Sequence, residues 1–271
     1  MASYLITGVS RGLGLEFLRQ ISEDPANTVF GILRNKAAAA DNIKATVGDR
    51  SNIHLLQADM NDYDSLKATV DQVSSITGGK LDYLISNVAI NNNFSAFDDI
   101  AGLGAKPEEF EQDLIDHFKV NVVGPIHLFN LYMPLVLNSP IKKVVNLTSG
   151  LIDTALTTQY NIQLCPSYAI SKAAAHMAVA KFSARYADEG VLFFSISPGF
   201  VLTSQFEGAT EEQVARTLQE NSKYSIYAPW FKAPIPAADS ISAMLETIHR
   251  AHVNSGLRGA AVSHRGDTKW L

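Results

Sequence analysis

Cysteine is almost absent from this chain: Cys165 is the single one in 271 residues. It can form neither an internal disulfide nor a cysteine metal cluster, so a reducing, cytoplasmic compartment is expected and a metal centre is not. A basic excess is missing as well. Lys and Arg number 22 against 27 Asp and Glu, a net charge of −5 with no block of basic residues, which argues against a nucleic-acid surface. Charged residues make up only 18% and hydrophobic ones 46%, the balance of a chain that buries a large core, so disorder is excluded. No apolar run reaches the ~18 residues of a membrane span, and none is expected to cross one. The opening Met-Ala-Ser-Tyr-Leu-Ile-Thr-Gly lacks a basic n-region and runs straight into a strand-like stretch, so it does not read as a secretory signal. The seven histidines show no metal-ligand spacing.

What is present alternates. Short apolar runs at Tyr4–Thr7, Thr28–Leu33, Ile53–Gln57, Leu81–Ser86, Lys143–Thr148, Leu192–Ser197 and Gly259–Ser263 predict strands. Between them, Leu13–Ser22, Tyr63–Ile76, Glu108–Leu137, Ser167–Ala187 and Ala237–His252 carry helical spacing. This alternation predicts an α/β fold: a Rossmann-like, doubly wound, seven-stranded and mostly parallel sheet with helices on both faces. Neither an internal repeat nor a Gly, Pro or Ser-rich linker divides the chain, so one domain is expected across 1–271. Its irregular part is 200–236, where Phe200, Phe206, Tyr224, Tyr227, Trp230 and Phe231 gather among three prolines. An insertion that aromatic is expected to act as a substrate lid, although packing of an inserted helical pair would use the same residues.

The run Thr7-Gly8-Val9-Ser10-Arg11-Gly12-Leu13-Gly14 follows the first strand and opens the first helix. Glycines at 8, 12 and 14 let the backbone turn tightly and approach a pyrophosphate, whose charge is met by free N–H groups at the positive helix end. The spacing is not that of the general dinucleotide fingerprint, and alone it is also compatible with a turn kept for packing. After the second strand comes Leu33-Arg34, where an NAD site places an acidic side chain for the ribose hydroxyl. Arg34, with Arg11, instead offers charge-assisted donors to a 2′-phosphate, which favours NADP(H) over NAD(H).

Tyr168 and Lys172 share one face of a helix at i, i+4 spacing. The phenol's ordinary pKa is ~10, and a neighbouring positive charge suits it to exchange a proton near neutrality. Tyr63 and Lys67 repeat the spacing but lack a hydroxyl residue at a strand end upstream, so they read as an exposed helix pair. Tyr168 instead follows the strand Asn146-Leu147-Thr148-Ser149-Gly150, with Ser149 nineteen positions earlier.

With the glycine loop, this order of motifs along nearly the whole chain resembles the classical short-chain dehydrogenase/reductase family, in the manner of its NADP(H)-preferring carbonyl reductases and ketoreductases. The resemblance implies Ser149 as donor to a substrate carbonyl, Tyr168 as the acid, Lys172 on the nicotinamide ribose, and Asn121 supporting a water linked to that lysine. It also places Gly8, Ser10, Arg11, Gly12, Leu13, Gly14, Arg34, Asp59, Met60, Asn87, Pro198, Gly199, Val201 and Thr203 around the cofactor. The partners implied are a small carbonyl or alcohol substrate and a second or further copies of the chain in a dimer or tetramer. Two departures stand out: Ser86-Asn87-Val88-Ala89 replaces the family's Asn-Asn-Ala-Gly, and the gap between Ser149 and Tyr168 is longer than usual. The function expected is NADPH-dependent reduction of a bulky apolar or aromatic ketone. A non-catalytic NADPH-binding regulator, an enzyme of the extended branch and an alcohol dehydrogenase working oxidatively are the alternatives.

Overall fold

A computed structural model describes residues 1–201 and 209–271. Strands β1 (Ser3–Thr7), β2 (Thr28–Leu33), β3 (Ile53–Gln57), β4 (Tyr83–Ser86), β5 (Lys143–Leu147), β6 (Leu192–Ser197) and β7 (Ala261–Ser263) form one sheet in the order β3-β2-β1-β4-β5-β6-β7. Every pairing is parallel. Parallel neighbours need crossovers, and here these are α1 (Gly12–Ile21), α2 (Lys36–Val47), α3 (Tyr63–Thr77), α4 (Asn93–Ala96), α5 (Ile100–Leu103), α6 (Pro107–Phe118), α7 (Gly124–Leu137), α8 (Thr154–Gln159), α9 (Pro166–Arg185), α10 (Glu211–Tyr227) and α11 (Ala237–Arg250).

Covering on both faces explains the sequence pattern. β1, β5 and β6 are buried at every residue, so they read as unbroken apolar runs rather than alternating ones. Successive side chains still point to opposite faces. Tyr4 and Ile6 of β1 join Phe17 and Leu18 of α1, Ile43 of α2 and Met244 and Ile248 of α11 in one core. Leu5 joins Leu66 of α3, Leu128, Phe129 and Tyr132 of α7 and Val179 of α9 in the other. Each such side chain, taken fully from water, contributes about 1.5–3 kcal/mol. The sheet changes winding direction between β1 and β4, and a crevice opens beyond their C-terminal ends.

The helix expected over Glu108–Leu137 is not uniform. α6 and α7 are joined by a π-helical turn, Lys119–Val123, in which the Gly124 amide reaches back to the Lys119 carbonyl. Pro125 has no N–H to give the Asn121 carbonyl, so the regular ladder cannot pass this point and widens instead. The continuous run Pro107–Leu137 spans 31 residues and is, by length and composition, apolar enough to cross a membrane, which corrects the expectation that no segment is. Its apolarity has another use here: 56% of the most apolar window is buried inside the fold, where Leu128, Phe129, Tyr132, Met133 and Val136 pack on the sheet.

Candidate active site

The C-terminal strand ends open on a cavity of about 990 Å³. At its β1 end, α1 starts at Gly12 with no side-chain cap, so its first N–H groups stay free beside Leu13 and Gly14, which line the cavity. A Cβ on Gly14 would stand 2.1 Å from the Gly8 carbonyl oxygen and 2.6 Å from Asn87 Nδ2. Only glycine allows the helix to start that close to the strand. Asn87 locks the same corner, its backbone N–H donating to Thr7 Oγ1 (2.9 Å) and its Nδ2 to the Thr7 carbonyl (2.9 Å). From α2, Asn42 Nδ2 donates to the Ser10 carbonyl at 2.8 Å.

Gly8, Ser10, Arg11, Leu13, Gly14, Arg34, Asp59, Met60, Asn87, Pro198, Gly199 and Val201 all line this cavity. Gly12 is not among its lining residues, and Thr203, like Phe206, lies outside the described residues. Among the described residues the arginines that form ion pairs are Arg19, Arg185, Arg216 and Arg250. Arg11 and Arg34 thus line the cavity with no ion-pair partner among the described residues, beside an uncapped helix start, a donor set suited to a phosphate-bearing ligand.

Helix α9 delivers the other end. Cys165 caps it in the left-handed region (φ 61°), an unusual conformation ahead of a proline, and Pro166 then begins the helix. Tyr168 falls in the first turn and Lys172 one turn later, with Lys172 Nζ 5.7 Å from the Tyr168 ring centroid. Nζ donates to the Leu147 carbonyl at 2.7 Å. Burial pushes the Lys172 ammonium down to about 8. Burial, and after it the Cys165 thiol, pushes the Tyr168 phenol above its ordinary value. Removal from water thus dominates at both side chains, lowering the lysine and raising the phenol. Cys165 is itself pushed up to about 11 by burial, and its thiol donates to the Ala96 carbonyl at 3.0 Å. A thiol so protonated is no nucleophile.

Ser149 lines the cavity just beyond β5, where its Oγ accepts from the Leu151 N–H (3.2 Å) and caps the tight turn Gly150–Ile152. Asn121 sits behind the cavity, buried on the π-helical turn, and does not line it. Its Oδ1 accepts from the Ile90 N–H at 2.8 Å, while its Nδ2 donates to the Ile90 carbonyl (3.1 Å) and to Ser171 Oγ (2.9 Å). The side chain thereby ties the loop after β4 to α9. Tyr63, by contrast, is 45% exposed at the first residue of α3.

The family model of short chain dehydrogenases matches residues 3–214, a span that holds the glycine loop, Asn121, Ser149, Tyr168 and Lys172. The chain belongs to the short-chain dehydrogenase/reductase family. As a short-chain dehydrogenase/reductase it is 47% identical over 271 residues to the short chain dehydrogenase virK of Hypocrea virens, with 100% of both chains covered. It is 42% identical over 272 residues to the short-chain dehydrogenase/reductase iacC of Pestalotiopsis fici, again with 100% of both covered. In fold it is similar to the carbonyl reductase Sniffer of D. melanogaster, with a TM-score of 0.76 at 22% identity and 98% of each chain covered. The NADPH-bound carbonyl reductase from chicken fatty liver gives a TM-score of 0.78 at 20% identity, also over 98% of each chain.

This short-chain dehydrogenase/reductase roofs its cavity with residues that sequence reasoning missed. Thr217, Glu220 and Asn221 reach it from α10, beside the Tyr224 already expected there, and Trp270 and Leu271 from the segment after β7. Glu220 is only 6% exposed. Its carboxylate accepts from the Gln163 and Leu164 backbone N–H groups and from Lys223 Nζ, fastening α10 to the loop before α9. In sequence, Glu220 and Lys223 look like an ordinary surface pair, and nothing local marks them. Of the aromatic residues expected to form a cover, Phe200 packs 6.0 Å from Tyr224 and 5.6 Å from Phe231 by ring centroids, whereas Trp230 is 49% exposed.

Proposed function

We propose that the protein is an NADPH-dependent reductase that delivers hydride to the carbonyl carbon of a bulky, apolar or aromatic ketone. The observation that carries this reading is one cavity that holds Arg11 and Arg34 at one end and Ser149, Tyr168 and Lys172 at the other. The bare amides at the start of α1, the Gly14–Gly8 approach and the two guanidinium groups fit a dinucleotide with a 2′-phosphate, and no carboxylate follows β2 to favour the free ribose hydroxyl. Bound there, a nicotinamide cofactor supplies the hydride.

The rest of the chemistry belongs to the chain's own residues. Tyr168 Oη holds the proton that the substrate oxygen takes, and Ser149 Oγ donates a hydrogen bond to that same oxygen. Lys172 offsets the charge left on the phenol. Asn121 keeps the flanking loop and α9 in register through Ile90 and Ser171. Apolar walls at Phe97, Leu156, Leu164, Tyr224 and Trp270 keep water from the reacting centre and favour flat, large substrates. A homodimer or homotetramer belongs to the same reading. Ile115, Phe118, Ile170 and Met177 on α6 and α9, 40% to 60% exposed, are the apolar face it would cover, and light scattering of the purified protein checks it.

Fluorescence titration with NADPH and NADH tests the cofactor, and turnover on aliphatic, aromatic and polycyclic ketones tests the substrate class. The expected result is tighter NADPH binding, turnover of aromatic ketones, and loss of turnover with retained NADPH binding in Tyr168→Phe. Preference for NADH would overturn the role given to Arg34. Binding without turnover would replace the reductase with a cofactor-binding regulator.

A further inference from the structure

We propose that Trp270 is a positioning residue for Ser149, and that the segment Asp267–Leu271 is a strut joining the turn after Ser149 to the helix that roofs the cavity. The proposal rests on the reductase reading only for the part Ser149 plays.

Gly150, the residue after Ser149, shows where the strut bears. A Cβ placed there would stand 2.6 Å from Trp270 Cβ and 2.7 Å from Cγ, so the indole lies directly against the backbone of that turn. The indole N–H donates to Asp153 Oδ2 at 2.8 Å, while Asp153 Oδ1 accepts from the Ala155 and Leu156 N–H groups at 2.9 and 3.1 Å to cap α8. Burial works against ionising Asp153, yet the bonds from Trp270, Leu156 and Ala155 hold its carboxyl below the ordinary value, so the bond from Trp270 is charge-assisted. Ser149 thus sits on a turn gripped at Gly150 by the indole ring and at Asp153 by its N–H.

The other side of the segment grips the roof. The Trp270 backbone N–H donates to Tyr227 Oη at 3.1 Å, and Tyr227 is the last residue of α10. Trp230 Nε1 donates to the Leu271 carbonyl at 3.0 Å. Trp270 is 5% exposed and forms with Leu156 and Ile162 a buried cluster separate from the two cores of the sheet. At its near end the segment is fixed to β7, where Asp267 Oδ1 accepts from Ser263 Oγ (2.5 Å). A displacement of α10 is therefore transmitted through Trp270 to the backbone beside Ser149.

Hydrogen exchange of the full chain, followed by mass spectrometry, tests the strut without reference to activity. Trp270→Ala is expected to raise exchange about tenfold in both 150–159 and 211–227, with 12–21 unchanged. A rise in one segment alone, or in neither, overturns the strut. Trp270→Phe keeps the ring and loses the bond to Asp153, so it serves should the alanine variant fail to fold. With NADPH and isatin, Trp270→Phe is expected to lower kcat about tenfold, which is about 1.4 kcal/mol, with the KM for NADPH within about twofold. In a Ser149→Ala background the same change is expected to have no further effect on kcat, because its action runs through Ser149. Equal losses in both backgrounds would show a merely structural role and overturn the positioning. Absence of turnover in the unaltered protein overturns the reductase reading instead, and exchange in 150–159 then decides whether Trp270 orders the turn.

Discussion

Replacing Lys172 by methionine is expected to stabilise the protein at neutral pH while abolishing turnover. Burial lowers this ammonium from its ordinary 10.5 to about 8. That difference of roughly 2.5, at 1.36 kcal/mol for each, means that keeping the charge in its site costs about 3 kcal/mol. Methionine fills similar space without a charge, and its one drawback is the loss of the bond to the Leu147 carbonyl, about 1 kcal/mol. The net gain at pH 7 is therefore about 2 kcal/mol. Its pH dependence has a definite sign. Because the folded value lies below the unfolded one, the unfolded chain binds more protons between about pH 8 and 10.5, and the unaltered protein gains stability as pH rises through that window. The variant lacks this slope, so its advantage shrinks above pH 8 and is nearly gone by about pH 10. Tyr168, pushed up by burial, acts oppositely above its ordinary 10, where the unfolded phenol ionises first and folding loses stability. That contribution is present in both proteins and largely cancels in their difference. Urea denaturation midpoints across this pH range measure the effect. A methionine variant less stable than its parent at pH 7, or a gap that does not close with pH, would refute the reasoning.

Gly14→Ala is expected to weaken NADPH and NADH alike by at least about tenfold, since the new Cβ meets the Gly8 carbonyl and forces the loop apart; titration with both cofactors checks it, and an unequal effect would point elsewhere. Arg34→Glu is expected to cost NADPH about a hundredfold in affinity while leaving NADH within a few-fold, the size of one charge-assisted contact replaced by a repulsive one. Tyr132→Phe removes a buried bond to Thr69 (2.7 Å) but leaves Thr69 its Leu66 carbonyl; a loss of about 1 kcal/mol in denaturant midpoint is expected, with turnover unchanged.

The strands were legible because burial on both faces leaves each as a short apolar run, and β1 through β7 all stand within two residues of their expected positions. Helix α2 was not, since only Ala39, Ile43 and Val47 of it are buried and the stripe they form is thin. The π-helical turn escaped because periodicity averages over a window longer than one inserted residue. Ser149, Tyr168 and Lys172 were legible because their spacing is local to a strand end and a helix. Glu220 and Trp270 act across 57 and 117 residues of chain, respectively, and no local pattern encodes a contact at such range.

Only two tryptophans occur in the chain, and both stand at one corner: Trp270 beneath the roof and Trp230 bonded to the residue after it. Tryptophan emission, excited beyond the tyrosine band, is for that reason a local witness to this corner rather than to the sheet. An unfolding curve followed by emission records when the corner comes loose, and one followed by far-ultraviolet dichroism records when the strands and helices melt. If the corner lets go first, the two curves separate, and the interval between them measures how much less securely the chain holds the roof of its cavity than its frame.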